Sequence, residues 1–369
     1  MRRRHGGQWR EASLRFGRTE WLDFSASLNP WGPPAPVFRA VREALETVGR
    51  YPDLEAREAT AAVAAYLGVP EEALLLTHGG SEALHLAALW ARRRGLVRAL
   101  VAEPGFGGYA EALEAAGLPW RGLPEERVEE ATGEEVARGG EATLLVLGQP
   151  NNPTGRLFAR DRLLALAEAL FATGGLLLAD EAFVDFLPRP EEASLRQAAA
   201  GAPSGVVVAG SLTKFFTLPG LRLGYLVAPP AWREELAELQ PSWSVDALAQ
   251  AAAVAAVGDR EFIRRSRAWL PEARAQLRRG LEALGAFRVR EGAANFLLLD
   301  AEPSGLPAAT WAERAAARGI LLRDASDFPR LGRYHLRLAV RREEENRRLV
   351  EALGAIAREP REKGGRSPA

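Results

Sequence analysis

Cysteine is absent from this chain of 369 residues, and methionine, lysine and asparagine are rare, with one, two and five residues. The absence of cysteine excludes disulfides, thiol nucleophiles, thiolate zinc sites and iron–sulfur clusters, and we expect no metal site. Basic and acidic residues balance at 48 each, so the chain lacks the excess positive charge typical of nucleic-acid binding. No uncharged apolar run approaches the roughly 20 residues that cross a membrane, and the basic start has no apolar segment behind it. We therefore expect a cytoplasmic protein that binds neither nucleic acid nor membrane.

The order of apolar and helical segments predicts the fold class. Short apolar segments alternate with helical segments, which is typical of βαβ units and of a sheet covered on both faces. The apolar segments are 74–76, 99–102, 143–147, 176–179 and 205–209, and the helical ones are 82–93, 109–116 and 161–171. Long helices over about 230–285, short strands at 287–289, 296–299 and 335–340 and a helix over 342–358 predict a smaller α+β domain. The tail, 359–369, is charged, and we expect it to be disordered.

Only one of the two lysines lies inside the predicted fold. Lys214 lies in Ser211-Leu212-Thr213-Lys214-Phe215-Phe216, between hydroxyl and aromatic residues, whereas Lys363 lies in the tail. The chain uses 46 arginines elsewhere, and a lysine with a lowered pKa can form an imine, which a permanently protonated arginine cannot. A lysine that survived depletion by chance would be expected on a polar helix face. The pattern therefore predicts a chemical role for Lys214.

Three further loops follow apolar segments, at the strand ends where ligands of open α/β sheets bind. His78-Gly79-Gly80-Ser81 precedes a helix and can present backbone N–H groups to an anion, although a simple capped helix has the same pattern. The string Gln149-Pro150-Asn151-Asn152-Pro153-Thr154-Gly155 predicts a rigid turn, from which Asn152 can present its amide to a ligand. Asp180 ends an apolar strand and is either paired with a charged partner or directed to solvent.

These loops together indicate one cofactor. A lysine for an imine, an acid for a pyridinium nitrogen and anion-binding loops are what pyridoxal phosphate requires. From about residue 5 to 350 the chain resembles the fold-type-I pyridoxal-phosphate enzymes, in the branch with histidinol-phosphate aminotransferases and cobalamin-pathway threonine-phosphate decarboxylases. Asn-Asn-Pro-Thr-Gly, Asp-Glu-Ala-Phe and Ser-Leu-Thr-Lys-Phe-Phe occur in the family's order and spacing. The resemblance implies an α/β fold: a large three-layer α/β/α domain with a mostly parallel sheet that binds pyridoxal 5'-phosphate, plus a smaller α+β domain.

The resemblance also implies domain bounds. Residues 1–45 would be an N-terminal segment joining the small domain, and 46–240 would be the large domain. Residues 241–358 would hold the interdomain helices and the small domain, before the tail.

The resemblance further implies roles for individual residues around the cofactor. Lys214 would be the Schiff-base lysine, which also moves protons, Asp180 would pair with the pyridine N–H, and Asn152 would bond the phenolic oxygen. Phe183 takes the position where the aminotransferases usually have a tyrosine at that oxygen, and Phe106 would stack on the ring. The phosphate would be held by backbone N–H groups and side chains of six residues, Gly80, Ser81, Glu82, Ser211, Thr213 and Arg222.

For the substrate and the subunit arrangement, the resemblance implies a second set of residues. Arg337 would grip the substrate carboxylate, and His5 and Arg323 are candidates for a substrate phosphate. Asn29 and Gly32 belong to an N-terminal segment that is similar to the decarboxylases and are expected near the substrate. Tyr51 resembles a tyrosine that reaches the cofactor phosphate of the neighbouring subunit, which implies a homodimer with shared active sites.

Two reactions compete within the branch. Phe183, the Trp-Ser-Val-Asp-Ala-Leu-Ala-Gln string at 243–250 and the Gly-Ile-Leu-Leu-Arg-Asp string at 319–324 favour decarboxylation of L-threonine O-3-phosphate to (R)-1-amino-2-propanol O-2-phosphate, in cobalamin biosynthesis. The alternative is an aminotransferase for histidinol phosphate or a related amino acid. A third interpretation, a cofactor-sensing domain of a transcription regulator, is disfavoured because we expect no additional DNA-binding domain in this chain.

The chain departs from the family's usual pattern at a few positions. Ala26 and Asp327 stand where the family often has asparagine, Gln149 replaces an asparagine, and His78-Gly79-Gly80 replaces a more usual Gly-Asn-Gly. None of these changes affects Lys214, so they concern the substrate more than the cofactor.

Overall fold

A seven-stranded sheet forms the centre of the larger part of the molecule. The computed structural model describes residues 6–131 and 141–359. The first strand, β1 (Leu22–Asp23), lies outside this sheet. The seven strands of the sheet are β2 (Leu74–His78), β3 (Arg98–Glu103), β4 (Trp120–Pro124), β5 (Thr143–Gly148), β6 (Leu176–Asp180), β7 (Val206–Ser211) and β8 (Leu223–Val227). Their spatial order is β2-β8-β7-β6-β5-β3-β4. Strand β8 runs opposite in direction to the other six strands of this sheet.

Helices cover both faces of this sheet, because the side chains of its central strands are apolar on both sides. Leu145 and Leu147 of β5 pack into one core, whereas Leu144 and Val146 pack into a second core on the opposite face. The helices that precede the last third of the chain are α1 (Trp9–Phe16), α2 (Ala35–Ala44), α3 (Arg57–Leu67), α4 (Gly79–Arg93), α5 (Gly107–Ala115), α6 (Glu125–Val128), α7 (Arg160–Ala172), α8 (Arg196–Ala200), α9 (Leu212–Phe215) and α10 (Pro230–Ala237). Helices α4, α5 and α10 contribute to the second core, and α3 and α7 contribute to the first.

The last third of the chain forms a smaller α+β part. Its elements are α11 (Ala247–Gly258), α12 (Arg260–Glu282), β9 (Arg288–Val289), β10 (Phe296–Asp300), α13 (Ala308–Ala317), β11 (Ile320–Leu321), β12 (Arg323–Asp324), β13 (His335–Ala339) and α14 (Glu343–Ala357). Four strands form an antiparallel sheet in the order β12-β13-β10-β9, and β11 pairs in parallel with β1 near the N-terminus. Phe24 extends this contact, since its N–H donates to Leu321 O and its carbonyl accepts from the N–H of Ala339.

The predicted fold class is confirmed, with a mostly parallel sheet between helical layers and a smaller α+β part. Sequence patterns missed the edge strand β4, because Trp-Arg-Gly-Leu-Pro lacks an apolar run. They also missed the central strand β8 and the short strands β1, β11 and β12. The domain bounds stay a prediction, and the tail from residue 360 lies outside the described residues. No described helix has the length and apolarity that a membrane crossing requires.

Candidate active site

The carboxyl ends of the central strands meet at one edge of the sheet. In the strand register, Gly148 at the end of β5 pairs with Asp180 at the end of β6, and Asp180 pairs with Ala209 of β7. Strand β7 then passes directly into the one-turn helix α9, which carries Lys214. Parallel pairing therefore places Asp180 and Lys214 at the same edge, although they are far apart in the chain.

Lys214 lies among cationic neighbours with one carboxylate nearby. Its side chain is partly buried, and no described residue forms a hydrogen bond or ion pair with its amino group. Burial, together with the positive charges of Arg337 and Arg222, lowers the pKa of Lys214 to about 8, and the charge of Asp180 opposes this shift. A lysine with this pKa is present as a free amine in a substantial fraction near neutral pH, which a nucleophile or proton carrier requires.

Asp180 is held as an acceptor by two donors. Its Oδ1 accepts from the N–H of Ala182 at 3.0 Å, and its Oδ2 accepts from the hydroxyl of Tyr109 at 2.9 Å. Burial raises the pKa of Asp180, while these two hydrogen bonds and the charge of Lys214 oppose the rise. Phe106, one turn before Tyr109, packs edge-on against the Tyr109 ring with 5.6 Å between centroids. The predicted ring-stacking residue and the predicted pyridine partner thus belong to one cluster, and Tyr109 is the residue that sequence analysis missed.

The N-terminus of α4 forms an anion cradle with α9 and Arg222. The first backbone N–H groups of α4, at Gly79, Gly80, Ser81 and Glu82, have no partner within the helix. A Cβ at Gly79, where φ is +77°, would lie 2.6 Å from Nη2 of Arg222, so a glycine here leaves room for the guanidinium. The Ser211 hydroxyl lies on the adjacent β7–α9 turn, 2.7 Å from the Thr213 hydroxyl.

The side chain of Glu82 turns away from this cradle. Its Oε2 accepts from the N–H of His78, and both of its carboxylate oxygens accept from the Ser244 hydroxyl at 2.6 Å. Glu82 can therefore offer only its backbone N–H to an anion, and its contact with a phosphate stays a prediction.

Arg337 and Asn152 are joined by a hydrogen bond across the two parts of the molecule. Nη1 of Arg337 donates to Oδ1 of Asn152 at 2.6 Å, and Nη2 donates to the carbonyl of Ser25 at 3.1 Å. The Arg337 side chain is buried over the Phe296 ring, and its Nε has no hydrogen-bond partner among the described residues. Burial and the charge of Arg323 lower the pKa of Arg337 to about 9, so it remains cationic at neutral pH. A buried guanidinium with an unused donor is suited to an anionic group of a substrate.

Arg323 lies beside Arg337 on the small sheet and contacts a carboxylate. The two arginines are cross-strand partners in the β12–β13 register. Nη2 of Arg323 donates to both carboxylate oxygens of Asp327, at 2.8 and 2.9 Å, and Nη1 donates to the carbonyl of Asp324. A cavity of about 350 Å³ borders Ser25 and Arg323, so there is space for a ligand next to Arg323. A larger cavity, of about 840 Å³, lies between α3, α11 and α12 and contains none of the predicted site residues.

Asn29 supports the backbone next to Lys214. Its N–H donates to the carbonyl of Lys214, and its amide donates to Phe215 O and to the Ser266 hydroxyl. Gly32, three residues later, has a φ of +73° and open space where a Cβ would be. The predicted substrate contacts of Asn29 and Gly32 stay predictions, and His5 lies outside the described residues.

The remaining predicted residues of the region have mainly structural contacts. Phe183 is buried and packs edge-on against Phe296, with 5.0 Å between ring centroids. Gln149 is buried and bonds both backbone groups of Phe158. Asn151 donates to Pro104 O and to the buried carboxylate of Glu125, and so fastens the Asn-Asn-Pro loop to the Phe106 loop.

Tyr51 lies on the surface of the protomer. Its side chain is 79% exposed and stacks on Trp243, with 4.4 Å between the ring centroids. Phe38, Leu45 and Val48, just before it in the chain, are also large exposed apolar residues. The predicted contact of Tyr51 with a neighbouring subunit stays a prediction.

The residues at this edge fit pyridoxal 5'-phosphate. An amine without a described partner, a carboxylate fixed by two donors and an aromatic ring lie at this edge of the sheet, and the first N–H groups of α4 have no partner within the helix. These groups match an aldehyde, a pyridine nitrogen, a planar ring and a phosphate. The fit rests on residues from four separate segments: local patterns singled out three of them, and the family resemblance added Phe106.

Comparisons with known proteins place the chain in its family. The model of the aminotransferase class I and II family matches residues 19–353. The threonine-phosphate decarboxylase of Salmonella typhimurium is 35% identical over 358 residues, with 95% of each chain covered. The histidinol-phosphate aminotransferase of Symbiobacterium thermophilum is also 35% identical, over 92% of this chain and 91% of that protein.

Solved structures show the same fold. The L-threonine-O-3-phosphate decarboxylase of Porphyromonas gingivalis has a TM-score of 0.81 at 25% identity, with 91% of this chain and 99% of that chain covered. The histidinol-phosphate aminotransferase of Sinorhizobium meliloti, solved with pyridoxal-5'-phosphate, has a TM-score of 0.84 at 23% identity, over 95% and 94% of the two chains.

Proposed function

Since the chain belongs to the aminotransferase class I and II family and its cofactor is pyridoxal 5'-phosphate, we propose that it decarboxylates L-threonine O-3-phosphate to (R)-1-amino-2-propanol O-2-phosphate. Such a reaction supplies an aminopropanol phosphate for cobalamin biosynthesis. The substrate carries two anionic groups, a carboxylate and a phosphate, next to its amine. The proposal therefore requires two cationic groups at a short distance from Lys214.

The pair of adjacent arginines is the observation that carries the proposal. Arg337 and Arg323 are cross-strand partners, and the charge of Arg323 is close enough to lower the pKa of Arg337. Two buried cations side by side are unfavourable unless anions compensate them, and Asp327 compensates only Arg323 directly. A carboxylate at Arg337 and a phosphate near Arg323 match this arrangement, and 35% identity with a threonine-phosphate decarboxylase supports it.

The residues of the site have distinct tasks in this reaction. Pyridoxal phosphate, when bound, withdraws electron density from the α-carbon of an amino acid and so weakens the other bonds of that carbon. Asp180, fixed by Tyr109, would hold a proton on the pyridine nitrogen by its negative charge, and Asn152 would bond the phenolic oxygen. Arg337 would orient the carboxylate so that it leaves as CO₂ and its bonding electrons stay with the α-carbon. Lys214 Nζ would then deliver a proton to the α-carbon, and the product amine would leave when Lys214 takes its place on the cofactor.

The exposed aromatic segment supports a homodimer with shared active sites. The Tyr51 ring stacks on Trp243 and is largely exposed, on a surface with several exposed apolar side chains. A second copy that covers this surface would place its Tyr51 near the cofactor phosphate. Tyr51 would then complete the cradle formed by Ser211, Thr213 and Arg222.

Histidinol-phosphate aminotransferase activity is the second candidate, because a relative with that name is also 35% identical. In that reaction Lys214 would remove a proton from the α-carbon instead of adding one after CO₂ loss. The substrate has no carboxylate, so Arg337 would bind its phosphate. Phe183 disfavours this candidate, since it cannot donate a hydrogen bond at the position where these aminotransferases usually have tyrosine.

The deciding experiment measures CO₂ release. The purified holoenzyme is incubated with L-threonine O-3-phosphate in the absence of any oxo-acid. Continued CO₂ release over many turnovers supports the decarboxylase. Turnover of histidinol phosphate that depends on added 2-oxoglutarate, without CO₂ release from threonine phosphate, would establish the aminotransferase instead.

A further inference from the structure

The ion pair between Arg323 and Asp327 occupies donors that a substrate phosphate would use. Both oxygens of Asp327 accept from the same Nη2 of Arg323, and Nη1 donates to the carbonyl of Asp324. An anion that approaches Nη2 therefore competes with the Asp327 carboxylate for this group. Asp327 thus affects the binding of an anion at Nη2.

The two members of this pair differ in exposure. The side chain of Arg323 is only 7% exposed and also lies over the Phe328 ring, whereas that of Asp327 is 32% exposed. The backbone around Asp327 is held by contacts on both sides, since Phe328 packs in a small cluster and Arg330 forms an ion pair with Glu103 of β3. The guanidinium is thus enclosed by protein, whereas the carboxylate borders water.

From this arrangement we propose that Asp327 is a specificity residue, which holds Arg323 until a dianionic group displaces its carboxylate. The inference rests on the proposed function, because it concerns how the same site selects a phosphorylated side chain. A monoanionic carboxylate has the same charge as Asp327 and gains little by replacing it. A phosphate dianion carries more charge and more acceptor oxygens, so it can displace Asp327.

The same pair explains why the site should reject amino acids with carboxylate side chains. Glutamate and aspartate carry an α-carboxylate for Arg337 and a second carboxylate that would otherwise suit Arg323. With Asp327 in place, this second carboxylate competes with an anion already bound in a bidentate contact. Asp327 therefore weakens all anion binding at Arg323 but weakens the binding of monoanions most.

The test removes the charge of Asp327 and keeps its shape. In Asp327→Asn we expect inorganic phosphate to bind the borohydride-reduced holoenzyme about three- to tenfold more tightly, because the competing charge is gone. The reduced protein is used because its cofactor phosphate fills the cradle of α4 and its chemistry is stopped. Asp161→Asn is the matched control, since Asp161 is 96% exposed on α7 and the substitution changes the net charge equally.

A second measurement tests selectivity in the active holoenzyme. We expect Asp327→Asn to lower the ratio of affinities for L-threonine O-3-phosphate over L-glutamate, with the change in KM or Kd rather than in kcat. Asp327→Ser should behave in the same way, which guards against a folding defect of one variant. Phosphate binding that is unchanged or weaker in both variants overturns the proposal. Failure of the proposed function is a separate result, namely the absence of CO₂ release by the wild-type enzyme.

Discussion

The hydroxyl of Tyr109 donates a hydrogen bond of 2.9 Å to Oδ2 of Asp180, across 71 residues of chain. The bond favours the charged form of Asp180, whose pKa burial alone would raise further. Tyr109 thereby favours the anionic form of Asp180 close to Lys214, where we propose that Asp180 pairs with the pyridine nitrogen of the cofactor. Tyr109 acts through Asp180 and is a positioning residue.

Tyr109→Phe should lower kcat by about tenfold, since a hydrogen bond to a charged group is worth roughly 1.5–3 kcal/mol and only part of it is needed for catalysis. The pKa of Asp180 rises in this variant, so the pH dependence of the cofactor absorbance should change. Tyr225→Phe is the matched control, because the buried Tyr225 hydroxyl has no hydrogen-bond partner among the described residues. Equal kcat and equal spectra in wild type and Tyr109→Phe would contradict the assignment.

Lys214 should carry the cofactor covalently. After borohydride reduction, mass spectrometry is expected to find the added mass on the peptide that contains Lys214 and on no other peptide. Lys214→Arg keeps the charge but cannot form the bond, so it should lose both the attached mass and all measurable turnover. The other lysine in the sequence, Lys363, serves as an internal comparison, and modification there would refute the site.

The lowered pKa of Lys214 predicts a pH-dependent stability of the protein without cofactor. The pKa is about 8 in the folded state and 10.5 in an unfolded chain, so between these values the unfolded state binds more protons. The free energy of unfolding should therefore increase, and the folded state should become more stable, as the pH rises from about 8 to about 10.5. Urea denaturation of wild type and Lys214→Met over this range isolates the contribution. A difference between the two proteins that is constant with pH would show that the pKa is not lowered.

Gly79→Ala should reduce cofactor affinity at least tenfold, because the added Cβ would lie 2.6 Å from Nη2 of Arg222 and displace the guanidinium from the cradle. Gly17→Ala is the control, since Gly17 also has a positive φ, +66°, but has open space around it. Both variants should lose about 1–2 kcal/mol of stability from backbone strain. At a low concentration of free cofactor, only the Gly79→Ala variant should lose its bound cofactor, as measured by equilibrium dialysis. Equal loss of affinity in both would show that strain alone is responsible.

The proposed sharing of Tyr51 between subunits predicts complementation. Tyr51→Ala and Lys214→Ala homodimers should each have little activity at low cofactor concentration. When the two are mixed and allowed to exchange subunits, half of the dimers are mixed and each has one intact site, so about a quarter of the wild-type activity should return. Activity that never exceeds the average of the two homodimers would place Tyr51 outside the neighbouring site.

Local patterns in the sequence were sufficient to predict the layers of the fold and to single out the candidate reactive groups. The alternation of strands and helices can be recognised from the periodicity of apolar residues, because backbone hydrogen bonding and side-chain direction repeat within a few residues. The strands around 143–147, 176–179 and 205–209 follow these rules because both of their faces are buried. Lys214 could be recognised because lysine is so rare in the rest of the chain.

Partners of the polar side chains could not be predicted in the same way. Asn151 and Asn152 are adjacent and identical, yet Asn151 fastens the loop to Glu125 whereas Asn152 bonds Arg337. The bonds from the Asn29 amide to Phe215 O and Ser266 could not be predicted from the sequence either. A side chain bonds whichever group tertiary packing brings to it, and no local pattern contains that information.

The sequence by itself therefore determined the candidate functional groups of this protein. They are one lysine, one acid at a strand end, a helix start suited to an anion and two arginines near the C-terminus. Tertiary structure alone decided how they are tuned. Tyr109 meets Asp180, Arg337 meets Asn152 across 185 residues, and Asp327 neutralises Arg323 beside it. The physical reason is range, since backbone propensities act between neighbours, while charge, burial and hydrogen bonding act between whatever groups the folded chain brings together.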